Sequence, residues 1–209
     1  MRSCRRVTWR LVDEWDGGFG WLVEERLART SHALLLGGRV WLIDPVDCAG
    51  VEEHVRALGE PGGVLQLLDR HDRGGAAWAA RLGVPLVRAW DGAPFATLRV
   101  RASRLWREVA LWDEASGTLV CADALGTLPY FRTGAERIGW HPLVRPLPPR
   151  SFAGIAPARI LVGHGEGVHL DAAEALADLV RHGRRRTPAA LLSAARAVWA
   201  ASTSRAPGR

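Results

Sequence analysis

The chain has 209 residues, of which 48% are hydrophobic and 24% are charged, and both fractions are typical of globular domains. This composition excludes a disordered chain, a collagen and a coiled coil. No apolar run approaches the roughly 18 to 20 residues of a membrane-spanning helix, and no apolar segment follows the basic N-terminus. We therefore expect a soluble, cytoplasmic protein with no membrane partner.

All the basic residues behind the formal net charge of +6 are arginines, because the sequence contains no lysine. These arginines are interleaved with acidic residues, which argues against nucleic acid as a partner, and the run from Arg181 to Arg186 is interpreted as a solvated helix end. Cys4, Cys48 and Cys121 are odd in number and widely spaced, which indicates neither a disulfide framework nor a zinc site built from cysteines. A reducing compartment fits this usage.

The first part of the chain consists of short apolar runs separated by glycine pairs, which predict a meander of antiparallel strands. The predicted strands cover residues 7–12, 20–25, 32–36 and 40–43. After Pro45 the period changes, because Val51, Val55 and Leu58 fall on one helical face that ends at Gly59.

The rest of the chain alternates between strands and helices. The predicted strands cover residues 64–68, 84–87, 98–101, 108–112, 118–122 and 160–162, and the predicted helices cover 76–82, 171–181 and 188–199. The proline-rich residues 143–157 indicate a loop or short helix on the surface. Two sheets with helices outside them are expected, in a single domain of residues 1–200 followed by a flexible tail, 201–209.

The last predicted helix carries an apolar face that includes Leu191, Leu192 and Val198. We expect this face to pack onto the protein's own sheet, and the alternative is an interaction module that joins two copies of the chain.

Three segments end an apolar strand in polar residues beside small ones: Leu68–Gly75, Leu119–Leu125 and Ile160–Gly165. Polar side chains at strand ends commonly meet at one edge of a sheet, so one pocket is expected. Gly163 and Gly165 flank His164, which indicates close approach of the backbone to another group.

The order of these segments resembles the metallo-β-lactamase superfamily, the αββα group that includes glyoxalase II and many hydrolases. Residues 40–45, VWLIDP, resemble its early "vLIDpg" strand, and residues 68–75 fall where it carries H-x-H-x-D-H and two glycines. Residues 121–125 resemble its "GD(A/S)L" segment, and residues 163–165 its "GHG". The resemblance spans roughly residues 32–175 and implies a four-layer αββα sandwich.

The departures from that pattern fall on the metal ligands. Leu68 and Arg70 stand where the resemblance places the first two histidines, Arg73 stands at the histidine after the aspartate, and Arg104 stands at the remaining histidine of the first metal site. The first metal site is therefore expected to hold no ion.

The second metal site keeps Asp72, Asp123 and His164, which could hold one zinc, iron or manganese ion. Arg73 argues against an ion there, because a guanidinium stays protonated and repels a dication. The leading expectation is a metal-free protein, without a cofactor and not a conventional hydrolase. Its degenerate pocket would hold arginine–carboxylate pairs, such as Arg73 with Asp123 or Asp72.

The same pocket could also bind a small anionic ligand through Arg70, Arg73 and Arg104. The alternative function is a residual single-metal hydrolase of esters, thioesters or phosphoesters. His71 lies between the ligand positions, where a solvent-facing or hydrogen-bonded imidazole is favoured over a ligand. Asp72 is also suited to cap the helix predicted from residue 76.

Overall fold

The computed structural model describes residues 8–103 and 105–203. Cys4, Arg104 and the tail residues 204–209 therefore lie outside the described residues. The first sheet has six strands in chain order: β1 (Trp9–Trp15), β2 (Gly18–Val23), β3 (Thr30–Leu36), β4 (Arg39–Ile43), β5 (Pro61–Gln66) and β6 (Leu86–Arg88).

The first four strands form the antiparallel meander that the glycine pairs predict. Gly37 and Gly38 both have positive φ, 57° and 78°, which suits the tight turn between β3 and β4. β5 and β6 then add in parallel. Parallel strands need crossovers, and the crossovers contain α1 (Val51–Leu58) and α2 (Gly75–Leu82).

The second sheet has four strands in the order β12 (Arg159–Val162), β9 (Thr118–Cys121), β8 (Trp106–Asp113) and β7 (Thr97–Ser103). β12 and β9 are parallel, so their carboxyl ends meet at one edge. A small hairpin, β10 (Leu125–Gly126) with β11 (Gly139–Trp140), follows β9. The chain ends in α3 (Ala172–His182) and α4 (Thr187–Thr203).

Alternating side chains of the first sheet divide between two apolar layers. Val40 and Leu42 pack with Val51 and Trp78 of the first two helices, whereas Ile43 and the neighbouring strands face the second sheet. Leu176 and Leu179 of α3 join the core of that second sheet. The layers are thus helix, sheet, sheet and helix, and the expected αββα sandwich is confirmed.

Some local predictions differ from the structure. α4 runs to Thr203, so residues 201–203 are helical rather than tail. Its buried residues are Ala190 and Ala194, while the expected apolar face is half exposed or more. The small side chains allow α4 to approach closely, and Ser193 lies 3.3 Å from Thr133.

Two other segments also differ in the structure from what the sequence predicts. The proline-rich segment is partly internal, with Val144, Arg145 and Phe152 buried, and the β10–β11 hairpin was not predicted. Across residues 8–103 and 105–203, every helix is too short or too polar to cross a lipid bilayer.

Candidate functional site

The ends of four strands place polar side chains at one edge of the sandwich. Asp44 follows β4, His71 lies in the loop after β5, Asp123 follows β9, and His164 follows β12. β4 runs parallel to β5 and β9 runs parallel to β12, so each pair delivers its carboxyl ends together. This is the edge at which open α/β sheets bind ligands.

His71 is buried and lies between two carboxylates. Its Nδ1 lies 2.7 Å from Asp44 Oδ2, and its Nε2 lies 2.9 Å from Asp123 Oδ1. Asp44 is itself fixed, because its Oδ1 accepts a hydrogen bond from the backbone N–H of Leu67 at 2.9 Å. The ends of β4 and β5 therefore set the orientation of the imidazole.

His164 approaches the same oxygen from the second sheet. Its Nε2 lies 3.1 Å from Asp123 Oδ1, and its Nδ1 lies 2.7 Å from the carbonyl oxygen of Leu27. A Cβ on Gly163 would lie 2.5 Å from the carbonyl oxygen of Ala122, so only glycine fits there. This explains the glycine that precedes His164 in the sequence.

These contacts determine the tautomers of both imidazoles. A carbonyl oxygen only accepts, so His164 Nδ1 carries a proton, and His71 Nδ1 donates to the Asp44 carboxylate in the same way. Both Nε2 atoms then face Asp123 Oδ1 either as lone pairs or as additional N–H groups. The site accordingly accepts either protons or a cation at the two Nε2 atoms.

In the metal-free protein, a proton occupies Nε2 of His71. Burial lowers the pKa of His71, but the charge of Asp44 and the hydrogen bonds to both carboxylates outweigh it and raise that pKa to about 9. Burial alone would raise the pKa of Asp123. The hydrogen bonds from His164 and His71 outweigh burial and hold this pKa well below its ordinary value. The ionised carboxylate of Asp123 therefore faces the imidazolium of His71.

The donor atoms of the trio fit one divalent transition-metal ion. His71, Asp123 and His164 each offer one ligand atom, and these atoms lie within 4.8 Å of one another. Two imidazole nitrogens and a carboxylate are donors that zinc and iron accept. The Nδ1 of each imidazole also donates to an acceptor, Asp44 for His71 and the Leu27 carbonyl for His164. Metal-binding histidines usually have such a partner on the ring nitrogen that does not bind the metal.

Arg73 lies against this trio as a competing cation. Its Nη2 lies 3.0 Å from His71 Nε2. The guanidinium is anchored by the carbonyl oxygens of Thr30 at 2.7 Å and Gly163 at 3.2 Å. The expected ion pairs of Arg73 with Asp123 or Asp72 do not form within the described residues, since the histidines occupy the Asp123 oxygen instead.

The other residues expected in the pocket lie apart from the trio. Asp72 is exposed, and His71 provides the third ligand atom that the sequence assigned to Asp72. Arg70 is exposed and lies over the ring of Trp106, 4.3 Å from its centroid. Arg104 is outside the described residues. A turn at residues 69–70 rotates the chain so that His71, rather than its neighbour, points inwards.

Sequence reasoning missed Glu108, which binds the backbone of the loop that carries Asp123. Glu108 is fully buried on β8, and its Oε1 accepts the backbone N–H groups of Asp123 and Ala124, each at 3.0 Å. Its Oε2 accepts the indole N–H of Trp106 at 2.7 Å. Burial raises the pKa of Glu108 to about 7. An acid directly before the apolar run of residues 109–112 in β8 is the signal that could have revealed it.

Two members of the trio, Asp123 and His164, line a cavity of about 830 Å³. Most of the wall is apolar, and it includes Leu128, Phe131 and Val198. Two polar groups of the wall, Tyr130 and His141, lie 3.4 Å apart. Burial lowers the pKa of His141 to about 4, so this imidazole is neutral at neutral pH. The cavity has the size and lining of a small-molecule site.

No protein-family model matches the sequence, and no curated protein matches it either. Solved structures do match. The metallo-β-lactamase FIM-1 from Pseudomonas aeruginosa, in its mono-zinc form, is 10% identical, with a TM-score of 0.53 over 86% of this chain and 98% of that one. A metallo-β-lactamase from Pontibacter korlensis is 13% identical, with a TM-score of 0.53 over 83% and 99%.

The apo chemotaxis sensor ODP from T. denticola is also similar, at 11% identity and a TM-score of 0.50 over 86% of this chain and 95% of that one. At such identities the likeness concerns the fold rather than the chemistry. The layers of the sandwich and these neighbours lead to the same conclusion, that the chain has the metallo-β-lactamase fold.

Proposed function

We propose that this protein is a hydrolase that uses one divalent transition-metal ion and acts on a small ester, thioester or phosphoester held in the cavity. The observation that carries the proposal is the convergence of His71 Nε2 and His164 Nε2 on Asp123 Oδ1, with both Nδ1 atoms held by acceptors. Zinc is the favoured ion, with iron or manganese as alternatives. Catalytic zinc sites commonly have three protein ligands of these types.

The residues of the chain would divide the work as follows. The trio would hold the ion, which when bound would supply Lewis-acid polarisation of a carbonyl or phosphoryl oxygen. Asp44 and the Leu27 carbonyl orient the two imidazoles, and Phe131, whose ring lies 6.0 Å from that of His164, screens the site from water.

His141 has a defined role on the cavity wall. Its Nδ1 accepts the backbone N–H of Leu143 at 3.2 Å, so the neutral ring carries its proton on Nε2. That N–H faces Tyr130 and the cavity. It is positioned to donate a hydrogen bond to a substrate oxygen.

The contact of Arg73 Nη2 with His71 Nε2 at 3.0 Å supports a second candidate function, that of a metal-free protein that binds a small anion. A guanidinium at this place supplies positive charge that an ion would otherwise bring. With His71 protonated, the charges of His71 and Arg73 balance those of Asp44 and Asp123 without a metal ion. A small anion would then pair with the guanidinium of Arg73.

Metal analysis and titration distinguish the two candidates. Protein purified without chelator should contain about one equivalent of zinc or iron, and the stripped protein should bind Zn²⁺ more tightly as the pH rises, because binding displaces protons from Nε2. His164→Gln and Asp123→Asn should abolish this binding. His54→Gln, which changes an exposed histidine on α1, should not affect it.

Activity is measured on nitrophenyl esters, a thioester and a phosphodiester with and without added Zn²⁺, Fe²⁺ or Mn²⁺. Hydrolysis that needs the ion and is lost in His164→Gln supports the proposal. An absence of site-dependent metal binding at about pH 8, where His71 begins to release its proton, would overturn it. Thermal stabilisation by chloride or acetate, lost in Arg73→Gln, would then support the second candidate.

A further inference from the structure

Three arginines converge on a groove that lies apart from the metal trio. Arg99 and Arg101 lie on β7, and Arg107 lies on β8, where the register pairs it with residue 102 of β7. Together with Trp90 and Asp91 they line a groove of about 640 Å³ beside the 3-10 turn that follows β6. The fold thus concentrates charges that are interleaved with acidic residues along the sequence.

The described residues balance only part of the positive charge of this groove. Within the described part of the chain, none of the three guanidinium groups forms an ion pair, whereas Arg56, Arg81, Arg137 and Arg186 all do. Arg101 donates only a long hydrogen bond, 3.4 Å, to the carbonyl oxygen of Leu143. Asp91 is the single carboxylate that the groove lining contains among the described residues, so the lining carries excess positive charge.

Trp90 adds an aromatic surface to the groove. The residue belongs to the turn Ala89–Asp91 and is partly exposed. Its ring stacks on no other ring or arginine in the residues that the structure describes, in contrast to Trp106, which carries Arg70, and Trp78, which carries Arg81. An indole beside unpaired guanidinium groups matches the way in which proteins bind unpaired bases and their phosphates.

We propose that this groove binds single-stranded nucleic acid, with Arg99, Arg101 and Arg107 on successive phosphates and Trp90 stacked on a base. Arginine forks pair phosphate oxygens, and an unpaired base exposes the face that an indole needs. A double helix keeps its bases stacked and offers only the phosphates, so single strands are expected to bind more tightly. The proposal is independent of the chemistry at the trio.

The test is fluorescence anisotropy of a labelled 20-nucleotide single strand at increasing salt. The triple variant Arg99→Gln/Arg101→Gln/Arg107→Gln should lose at least tenfold in affinity at about 50 mM salt. The slope of the logarithm of the binding constant against the logarithm of the salt concentration should become shallower by about two. The matched control is Arg181→Gln/Arg184→Gln/Arg185→Gln, which removes the same charge from exposed residues at the end of α3 and its following turn. This control should change affinity less than about threefold.

Trp90→Leu keeps the charge and an apolar side chain, and it should still lose roughly five- to hundredfold in affinity through the lost stacking. Unfolding midpoints of all variants show whether each remains folded. The proposal is overturned if both triple variants lose affinity equally, since binding would then follow net charge alone. It is also overturned if polyglutamate or millimolar inorganic phosphate displaces the strand as well as unlabelled nucleic acid does, because either result assigns the groove to another anion.

Discussion

The carboxylate of Asp44 holds the imidazole of His71, with Asp44 Oδ2 lying 2.7 Å from His71 Nδ1. Asp44 adopts φ 44°, a left-handed conformation that asparagine also tolerates. Asp44→Asn should therefore keep the backbone conformation while it removes the negative charge that makes His71 a stronger metal ligand. We expect zinc affinity to fall about 10- to 100-fold, as the loss of an outer partner of a ligand usually does.

Competition with a coloured chelator measures this affinity directly. Asp47→Asn is the matched control, because Asp47 is an exposed aspartate nearby that pairs with Arg81. Equal zinc affinity in Asp44→Asn and the unmodified protein would show that Asp44 does not support the metal.

The stability of the metal-free protein should depend on the charge of His71. Its pKa is raised in the folded state to about 9 from an ordinary 6.5, so the folded protein holds this proton more tightly than the unfolded chain does. The stabilisation is complete below pH 6.5 and is lost as the pH rises through 9. It is on the order of 3 kcal/mol, because the two pKa values differ by about 2.5 and a difference of one corresponds to about 1.4 kcal/mol.

Urea unfolding in the presence of a chelator, at several pH values between the two pKa values, measures this dependence. His71→Gln should flatten the decline, whereas His54→Gln should leave it unchanged. A decline that persists undiminished in His71→Gln would assign the titration to another group.

The fold could be predicted from the sequence because its signals are local. The helix predicted to end at Gly59 is α1, and the strand predicted at residues 40–43 differs from β4 by one residue. The site was harder, because it depends on which of two adjacent side chains points inwards. The pattern of residues 68–75 gave the place of Asp72, but only the three-dimensional path of the loop turns His71 towards Asp44.

Glu108 should stabilise the protein through the three N–H groups that it accepts. Glu108→Leu would leave the backbone N–H groups of Asp123 and Ala124 and the indole N–H of Trp106 without that acceptor in a buried place. We expect a loss of about 3 to 5 kcal/mol in the free energy of unfolding, since each orphaned buried donor costs about 1 to 3 kcal/mol and the losses overlap.

Glu108→Gln should be milder, about 1 to 3 kcal/mol, because its amide keeps one acceptor oxygen but turns a donor towards one of the N–H groups. Glu114→Gln, at an exposed glutamate in the turn after β8, is the control and should have almost no effect. If Glu108→Leu were as stable as the unmodified protein, the carboxylate would not be supporting the loop of Asp123.

The wall of the cavity depends on a buried ion pair. Arg145 and Glu136 are buried and form two hydrogen bonds, at 2.9 and 2.7 Å, while Arg145 also donates to the carbonyl oxygens of Phe131 and Gly183. Arg145 thereby ties the segment that carries Phe131, a wall residue, to the end of α3. Removing Arg145 would leave the buried Glu136 with a longer contact, 3.5 Å from its Oε1 to Arg186 Nη1, and a poorly compensated buried charge is costly.

Arg145→Met should therefore lower the free energy of unfolding by about 3 to 5 kcal/mol, and Arg145→Met/Glu136→Leu should recover part of that loss because no buried charge remains. The exposed pair of Arg56 and Glu52 on α1 provides the control, since Arg56→Met should cost less than about 1 kcal/mol. Chemical denaturation measures all three variants. If Arg145→Met is no less stable than Arg56→Met, the buried ion pair does not stabilise the wall. Altered ligand binding in the double variant would support the role of Arg145, because Phe131 would lose its anchor.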